Sequence, residues 1–175
     1  MRRLPIFFLL DVSESMAGDS LRQLQQGLER LVRSLRTDPH ALETVYLSMI
    51  AFAGKAKTLT PLIEVASFYP PRLPVGSGTA LGVALEHLMV EIDKNVIKTT
   101  PDRKGDWKPV VYLMTDGKPT DNIANALRRW RKYYKNQVSL IAIGVGQYAA
   151  LDTLRQLTDQ VLHLDAQNDE DFRKF

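Results

Sequence analysis

The stretch Leu4-Pro5-Ile6-Phe7-Phe8-Leu9-Leu10-Asp11-Val12-Ser13-Glu14-Ser15 decides the fold. Its first seven residues are almost wholly apolar. Such a run, without polar alternation, marks a strand covered on both faces. Behind Met1-Arg2-Arg3 it imitates a secretory leader, but it is short and meets Asp11 without a small-residue cleavage site. A buried strand is therefore expected. From Asp11 onward the pattern changes to an acid and two hydroxyls at alternate positions, Asp11, Ser13 and Ser15. Leaving a strand, residues spaced by two project to one side, while Val12 and Glu14 project away.

Further apolar runs occupy residues 45–53, 110–115, 138–145 and, more weakly, 161–164. Residues 56–60 can hairpin back through the turn Ala53-Gly54-Lys55. Helical spacing fills the intervals. Leu21, Leu24, Leu28, Leu31, Val32 and Leu35 recur every three or four residues, as do Leu81, Leu85, Leu88 and Ile92, then Ile123, Leu127, Trp130 and Tyr134. A shorter helix is expected over 148–157. Strands alternating with helices predict an α/β chain with a doubly wound, mostly parallel central sheet, one short antiparallel edge strand and helices on both faces. Residues 61–74 hold four of the nine prolines and read as a loop; residues 99–108 read as an exposed connection. Asn168-Asp169-Glu170-Asp171 reads as a helix start, so a final helix is expected to begin there and stop at, or continue past, Phe175.

Composition narrows the chemistry. The 175 residues suit one domain spanning 1–175, and 45% hydrophobic with 25% charged residues is ordinary for a globular chain. With no Cys, a disulfide scaffold, a thiol nucleophile and a Cys-ligated zinc site are excluded. A net charge of +3 is too small to argue nucleic-acid binding. No stretch reaches the roughly 18 apolar residues a membrane span needs, and a cytoplasmic location is expected.

In open parallel sheets, ligands sit outside the carboxyl ends of strands where the strand order reverses. Two runs here end on an aspartate, at Asp11 and at Leu113-Met114-Thr115-Asp116-Gly117. With strand order 3-2-1-4-5 the two are central neighbours. Gly76-Ser77-Gly78-Thr79, just before a helix, belongs to the same rim. Two carboxylates and several hydroxyls are hard oxygen donors, which suit Mg²⁺ or a similar cation and disfavour a soft metal.

Asp11-x-Ser13-x-Ser15, Thr79 in Gly76-Ser77-Gly78-Thr79-Ala80-Leu81, and Asp116-Gly117 resemble the metal-ion-dependent adhesion site (MIDAS) of von Willebrand factor A domains, in order and spacing, over essentially the whole chain. Arg2-Arg3-Leu4-Pro5, the 76–82 loop and residues 113–121 resemble the bacterial tellurium-resistance-associated, TerY-like members. The resemblance implies a Rossmann-like fold and Mg²⁺ or Mn²⁺ held by Asp11, Ser13, Ser15, Thr79 and Asp116. It implies direct contacts from Ser13 and Ser15, a direct or water-mediated one from Asp11, and exchanging roles for Thr79 and Asp116. A protein ligand would offer an acidic group to the metal. For the tellurium-resistance branch it implies a stress-response system with a protein kinase and a PP2C-type phosphatase. Some relatives carry a zinc-ribbon tail, which a chain without Cys lacks.

Other features read more simply. His40, His87 and His163 have no ligand spacing, and Gly76-x-Gly78 lacks the Lys-Ser/Thr of a phosphate loop. Ser13 and Ser15 lie in no GxSxG elbow. Glu14 is expected to face solvent, Asp121 to cap the helix that follows it, and Gly117 to serve a turn. Arg128, Arg129, Arg131, Lys132 and Lys135 read as a solvated helix face. A non-enzymatic adaptor is the expected function. A Mg²⁺-dependent phosphohydrolase on the same rim is disfavoured because Ser13 stands where a haloacid-dehalogenase phosphatase has a second Asp. A nucleic-acid binder using the basic helix is the remaining alternative.

Overall fold

The computed structural model of the chain describes residues 2–116, 118–146 and 149–164. Six strands form one sheet: β1 (Leu4–Asp11), β2 (Val45–Phe52), β3 (Ala56–Glu64), β4 (Val110–Thr115), β5 (Ser139–Val145) and β6 (Val161–Leu164). Their order is β3-β2-β1-β4-β5-β6. Every neighbouring pair is parallel except β2 with β3. This is the doubly wound α/β architecture that the alternation predicts, with β1 and β4 adjacent at its centre.

Alternate residues of β1 build two cores. Phe7 and Leu9 join Ile50, Leu113, Leu85, Leu88, Leu127 and Trp130 on one face. Phe8 and Leu10 join Met49, Met114, Ile143, Leu24, Leu28 and Val32 on the other. All four β1 side chains are at most 1% exposed, so the period of two feeds two helical layers with nothing left for solvent. Helix α1 (Asp19–Arg36) covers the second face through Leu24, Leu28 and Val32, spaced by four. Helix α3 (Leu81–Asn95) and helix α4 (Ala124–Arg129) cover the first. A short α2 (Pro39–Thr44) precedes β2; Asp38 caps it, accepting from the His40 N–H at 2.9 Å, with Pro39 in its first turn.

Several elements differ from expectation. Residues 61–64 extend β3 rather than opening the loop; Pro61 falls where the register with β2 shifts, and an edge strand tolerates its missing N–H. The helix expected over 123–134 changes its hydrogen-bond span: residues 130–134 form a π turn, with Lys135 N–H on Trp130 O at 3.0 Å. There Trp130 stacks on Tyr134 at 5.6 Å, and the Tyr134 hydroxyl donates to Asp93 Oδ2 at 2.7 Å. The helix expected over 148–157 is shorter, α5 (Leu151–Arg155). The connection 99–108 is stitched to the N-terminal end of β1, because Arg3 donates to Asp106 Oδ1 and Oδ2 at 2.9 and 2.7 Å. Trp107 is half-exposed under the Arg2 guanidinium, 4.0 Å from its ring centre. The final helix expected from Asn168, and Gly117, lie outside the described residues. Among the described residues no helix is long and apolar enough to cross a membrane.

Candidate metal centre

Parallel pairing of β1 with β4 sets Leu10 beside Met114, which brings Asp11 level with Thr115 and next to Asp116. Asp11 is fully buried. Its Oδ1 accepts from the Ser13 N–H at 2.8 Å and its Oδ2 from the Thr115 hydroxyl at 2.7 Å. Ser13 is also buried, Ser15 is exposed, and their Oγ atoms lie 2.9 Å apart. The Ser15 hydroxyl donates in turn to Asp116 Oδ2. The other Asp116 oxygen accepts from the Lys118 N–H at 3.1 Å. Four of the five residues expected at the site are thus joined in one polar network at the carboxyl ends of β1 and β4.

Thr79 arrives from a different loop. It is buried, and among the described residues its hydrogen bonds do not reach the other four. Thr120 holds it instead: the Thr79 N–H donates to Thr120 Oγ1 at 2.9 Å, and the Thr120 N–H donates to Thr79 O at 2.8 Å. The segment around Thr120 and the Thr79 loop are therefore tied together. Gly78, between Ser77 and Thr79, has φ +87°, a conformation glycine adopts without strain. The same loop pairs with the first, since Ser13 and Gly76 form a β-bridge and the Gly76 N–H donates to Val12 O at 2.8 Å.

Asp121 does not cap the helix that follows it. It caps α3, accepting from the Gly82 N–H at 3.1 Å and the Val83 N–H at 3.0 Å, while Asn122 Oδ1 takes the Ala124 N–H at 2.9 Å. Gly82 is required for this approach: a Cβ there would lie 2.9 Å from Asp121 Oδ2. Thr115 and Thr120 are positioning residues that sequence reasoning missed, and Asp121, read from sequence as the cap of the following helix, positions α3 instead. Thr115 had a signal, its place before Asp116 on a strand paired with β1. Thr120 acts across 41 residues of chain and had none. Glu14 is exposed, as expected. None of His40, His87 or His163 hydrogen-bonds to the five residues; His87 instead meets Thr58 at 2.7 Å.

The electrostatics favour a cation. Burial pushes the Asp11 carboxyl above the usual carboxylate range; hydrogen bonds from Ser13 and Thr115 pull it partly back, and the Asp116 charge adds to the upward push. Among the described residues, neither Asp11 nor Asp116 has an ion-pair partner. Nor does any group of three His, Cys, Asp or Glu gather there. The donors are two carboxylates and hydroxyls, a hard set suited to Mg²⁺ or Mn²⁺. Oxygens on adjacent corners of a Mg²⁺ octahedron lie about 3 Å apart, given metal–oxygen distances near 2.1 Å. The Ser13–Ser15 separation of 2.9 Å fits that spacing.

The comparisons agree with this architecture. Matrilin-1 of Bos taurus is 25% identical over 161 residues, covering 89% of this chain and 28% of that protein, so the chain spans under a third of this relative's length. A von Willebrand factor type A structure from Catenulispora acidiphila superposes with a TM-score of 0.73 at 19% identity, over 99% of this chain and 42% of the other. Proximal thread matrix protein 1 from the mussel byssus, in a structure with a zinc-occupied MIDAS motif, gives a TM-score of 0.68 at 22% identity, over 99% and 46%. Residues 6–174 match the model of the von Willebrand factor type A domain, and the chain belongs to that family.

Proposed function

We propose that this chain is a non-enzymatic docking module that binds Mg²⁺ or Mn²⁺ through Asp11, Ser13, Ser15, Thr79 and Asp116 and captures a protein partner by an acidic group. The observation that carries this reading is a rim where a buried Asp11 and an Asp116 joined to Ser13 and Ser15 have no cationic partner among the described residues. Two carboxylates offset one divalent charge. The remaining donors are neutral hydroxyls, which leave the ion electrophilic toward an incoming carboxylate. Ser13 and Ser15 contact the ion directly, Asp11 directly or through water, and Thr79 and Asp116 exchange those roles as the site opens and closes. The hydrogen bonds between Thr79 and Thr120 give that exchange a physical route, because they couple the two loops.

Calorimetric titration with Mg²⁺ tests the site. Binding by the wild type, lost in Asp116→Ala and Ser13→Ala, is the expected result; equal heats from all three proteins would overturn it. The resemblance to TerY-like proteins extends the proposal to a cytoplasmic tellurium-resistance or stress-response system containing a protein kinase and a PP2C-type phosphatase. Co-purification of either enzyme in Mg²⁺ but not EDTA is the matching test. Turnover of p-nitrophenyl phosphate that Asp11→Ala abolishes would instead establish a phosphohydrolase.

A further inference from the structure

We propose that partner choice is made beside the cation, in a groove that takes an extended acidic protein segment with an apolar residue near its metal-binding carboxylate. This inference rests on the proposed metal-dependent docking and specifies what that partner looks like. The groove has a volume of about 430 Å³ and lies against the β2–β3 turn, with Val12, Leu59, Pro74, Val75, Lys55 and Lys57 among its walls. Val12 sits between Asp11 and Ser13, so groove and candidate metal site share one stretch of backbone. An extended peptide advances about 3.3 Å per residue with alternate side chains on one side. The residue two positions from an acid over Ser13 and Ser15 therefore faces the same side of the peptide as that acid.

The groove is preformed. The Val12 N–H donates to Phe52 O and the Gly76 N–H to Val12 O, both at 2.8 Å, and the Ala80 N–H donates to Ala53 O at 2.7 Å. Two glycines let these loops meet: a Cβ on Gly54 would lie 2.8 Å from Ser77 O, and one on Gly76 would lie 2.6 Å from the Ala53 Cβ. A floor fixed in this way loses little freedom on binding. Val75 is 56% exposed, leaving an apolar lip for a partner side chain.

Charge selects the class of partner. Lys55 and Lys57 are exposed, and among the described residues neither is paired with an acid. With a divalent ion offsetting Asp11 and Asp116, Lys55 and Lys57 make the groove side basic, while the exposed Glu14 lies between Ser13 and Ser15. A second carboxylate on the incoming segment meets the groove side favourably, and a basic segment is repelled.

Fluorescence polarisation with three labelled nine-residue peptides, in Mg²⁺ and in EDTA, tests the proposal. Each has a central aspartate, flanked by leucine and glutamates, by serine and glutamates, or by leucine and lysines. The leucine–glutamate peptide is expected to bind about tenfold more tightly than the other two, only in Mg²⁺. Lys55→Glu with Lys57→Glu should remove the preference for glutamate, and Val75→Ser the preference for leucine. Calorimetric Mg²⁺ affinity and melting temperature should stay unchanged in both variants. Equal affinity for the three peptides, wild-type behaviour of both variants, or no binding in Mg²⁺ would overturn the inference. In that last set the lysines would serve only to keep the edge strand β3 from pairing with other strands. Failure of the wild type to bind Mg²⁺ would overturn the metal site and this inference together, whereas Mg²⁺ binding without peptide discrimination overturns this inference alone.

Discussion

Strand β1 starts beside one buried carboxylate and ends on another, and their surroundings differ in one respect. At the N-terminal end, the Asp106 side chain is 3% exposed and receives two hydrogen bonds from Arg3 and a third, at 2.8 Å, from the Ile97 N–H. Arg3 in turn donates to Asn95 O and lies over the Tyr46 ring. Asp106 pushes the Arg3 guanidinium pKa up, the hydrogen bond being the largest cause. At the C-terminal end, Asp11 is as deeply buried but accepts only from an amide and a hydroxyl. A carboxylate buried with its own cation closes a structural joint. One buried with neutral donors alone retains unspent attraction for a cation from outside. That difference, within a single strand, is the physical argument for placing ligand chemistry at one end of the sheet and stability at the other.

Removing a partner separates the two ends most sharply. Asp106→Ala leaves the Arg3 charge partly buried and the Ile97 N–H without its acceptor, and is expected to cost about 3 kcal/mol. Urea unfolding measures it, and a loss below about 1 kcal/mol would break the comparison. Mg²⁺ should act only at the other end. At a hundred times its dissociation constant it should stabilise the wild type by about 2.7 kcal/mol, and Asp116→Ala should melt at the same temperature with or without the ion.

Asp93 offers an intermediate case, a carboxylate served by a neutral phenol. Tyr134→Phe removes that bond and should cost about 1 kcal/mol. Burial and Asp93 together push the Tyr134 hydroxyl from 10.0 up to about 12. The native state then holds the proton more tightly than the unfolded chain. Its contribution is complete below about pH 10 and is lost as pH rises through about 12. The Phe variant should lack that segment of the stability–pH curve.

The smallest effect is expected at Asp11 itself. Without metal, Asp11→Asn should change stability by less than about 1 kcal/mol, because it removes a desolvated charge. The raised carboxyl pKa gives a contribution that is full below the ordinary 3.8 and disappears as pH rises through the native value. In the Asn variant that dependence should be absent. A large loss of stability at neutral pH would show that Asp11 is structural, like Asp106.

Much of this was legible in the chain. The apolar run before Asp11 could satisfy no environment except a sheet covered on both faces, and the alternation with helical periods then left few topologies. Asp11, Ser13 and Ser15 were legible because their spacing is local. The extension of β3 through Pro61 was not, since proline is excluded from central strands but not from an edge, and edge position is a tertiary fact. The π turn at Trp130 escaped for a similar reason: one extra residue per turn leaves the apolar spacing nearly helical. Asp121 was assigned to the wrong helix because a cap is normally local, and here the nearer N–H groups are those of Gly82 and Val83, 39 and 38 residues away.

Sequence by itself determined the family, the strand–helix alternation and the residue types that face the rim, because each depends on local period and short-range spacing. Only the tertiary structure decided which carboxylate keeps its own cation. Asp11 stands out locally by its spacing to Ser13 and Ser15, but nothing near Asp106 in the chain shows that a cation seals it, and nothing near Asp11 shows that none does. The fold carries Arg3 across 103 residues to Asp106 and brings Thr115 and Ser13 to Asp11, and that placement makes one end of β1 a closed joint and the other a site open to a cation.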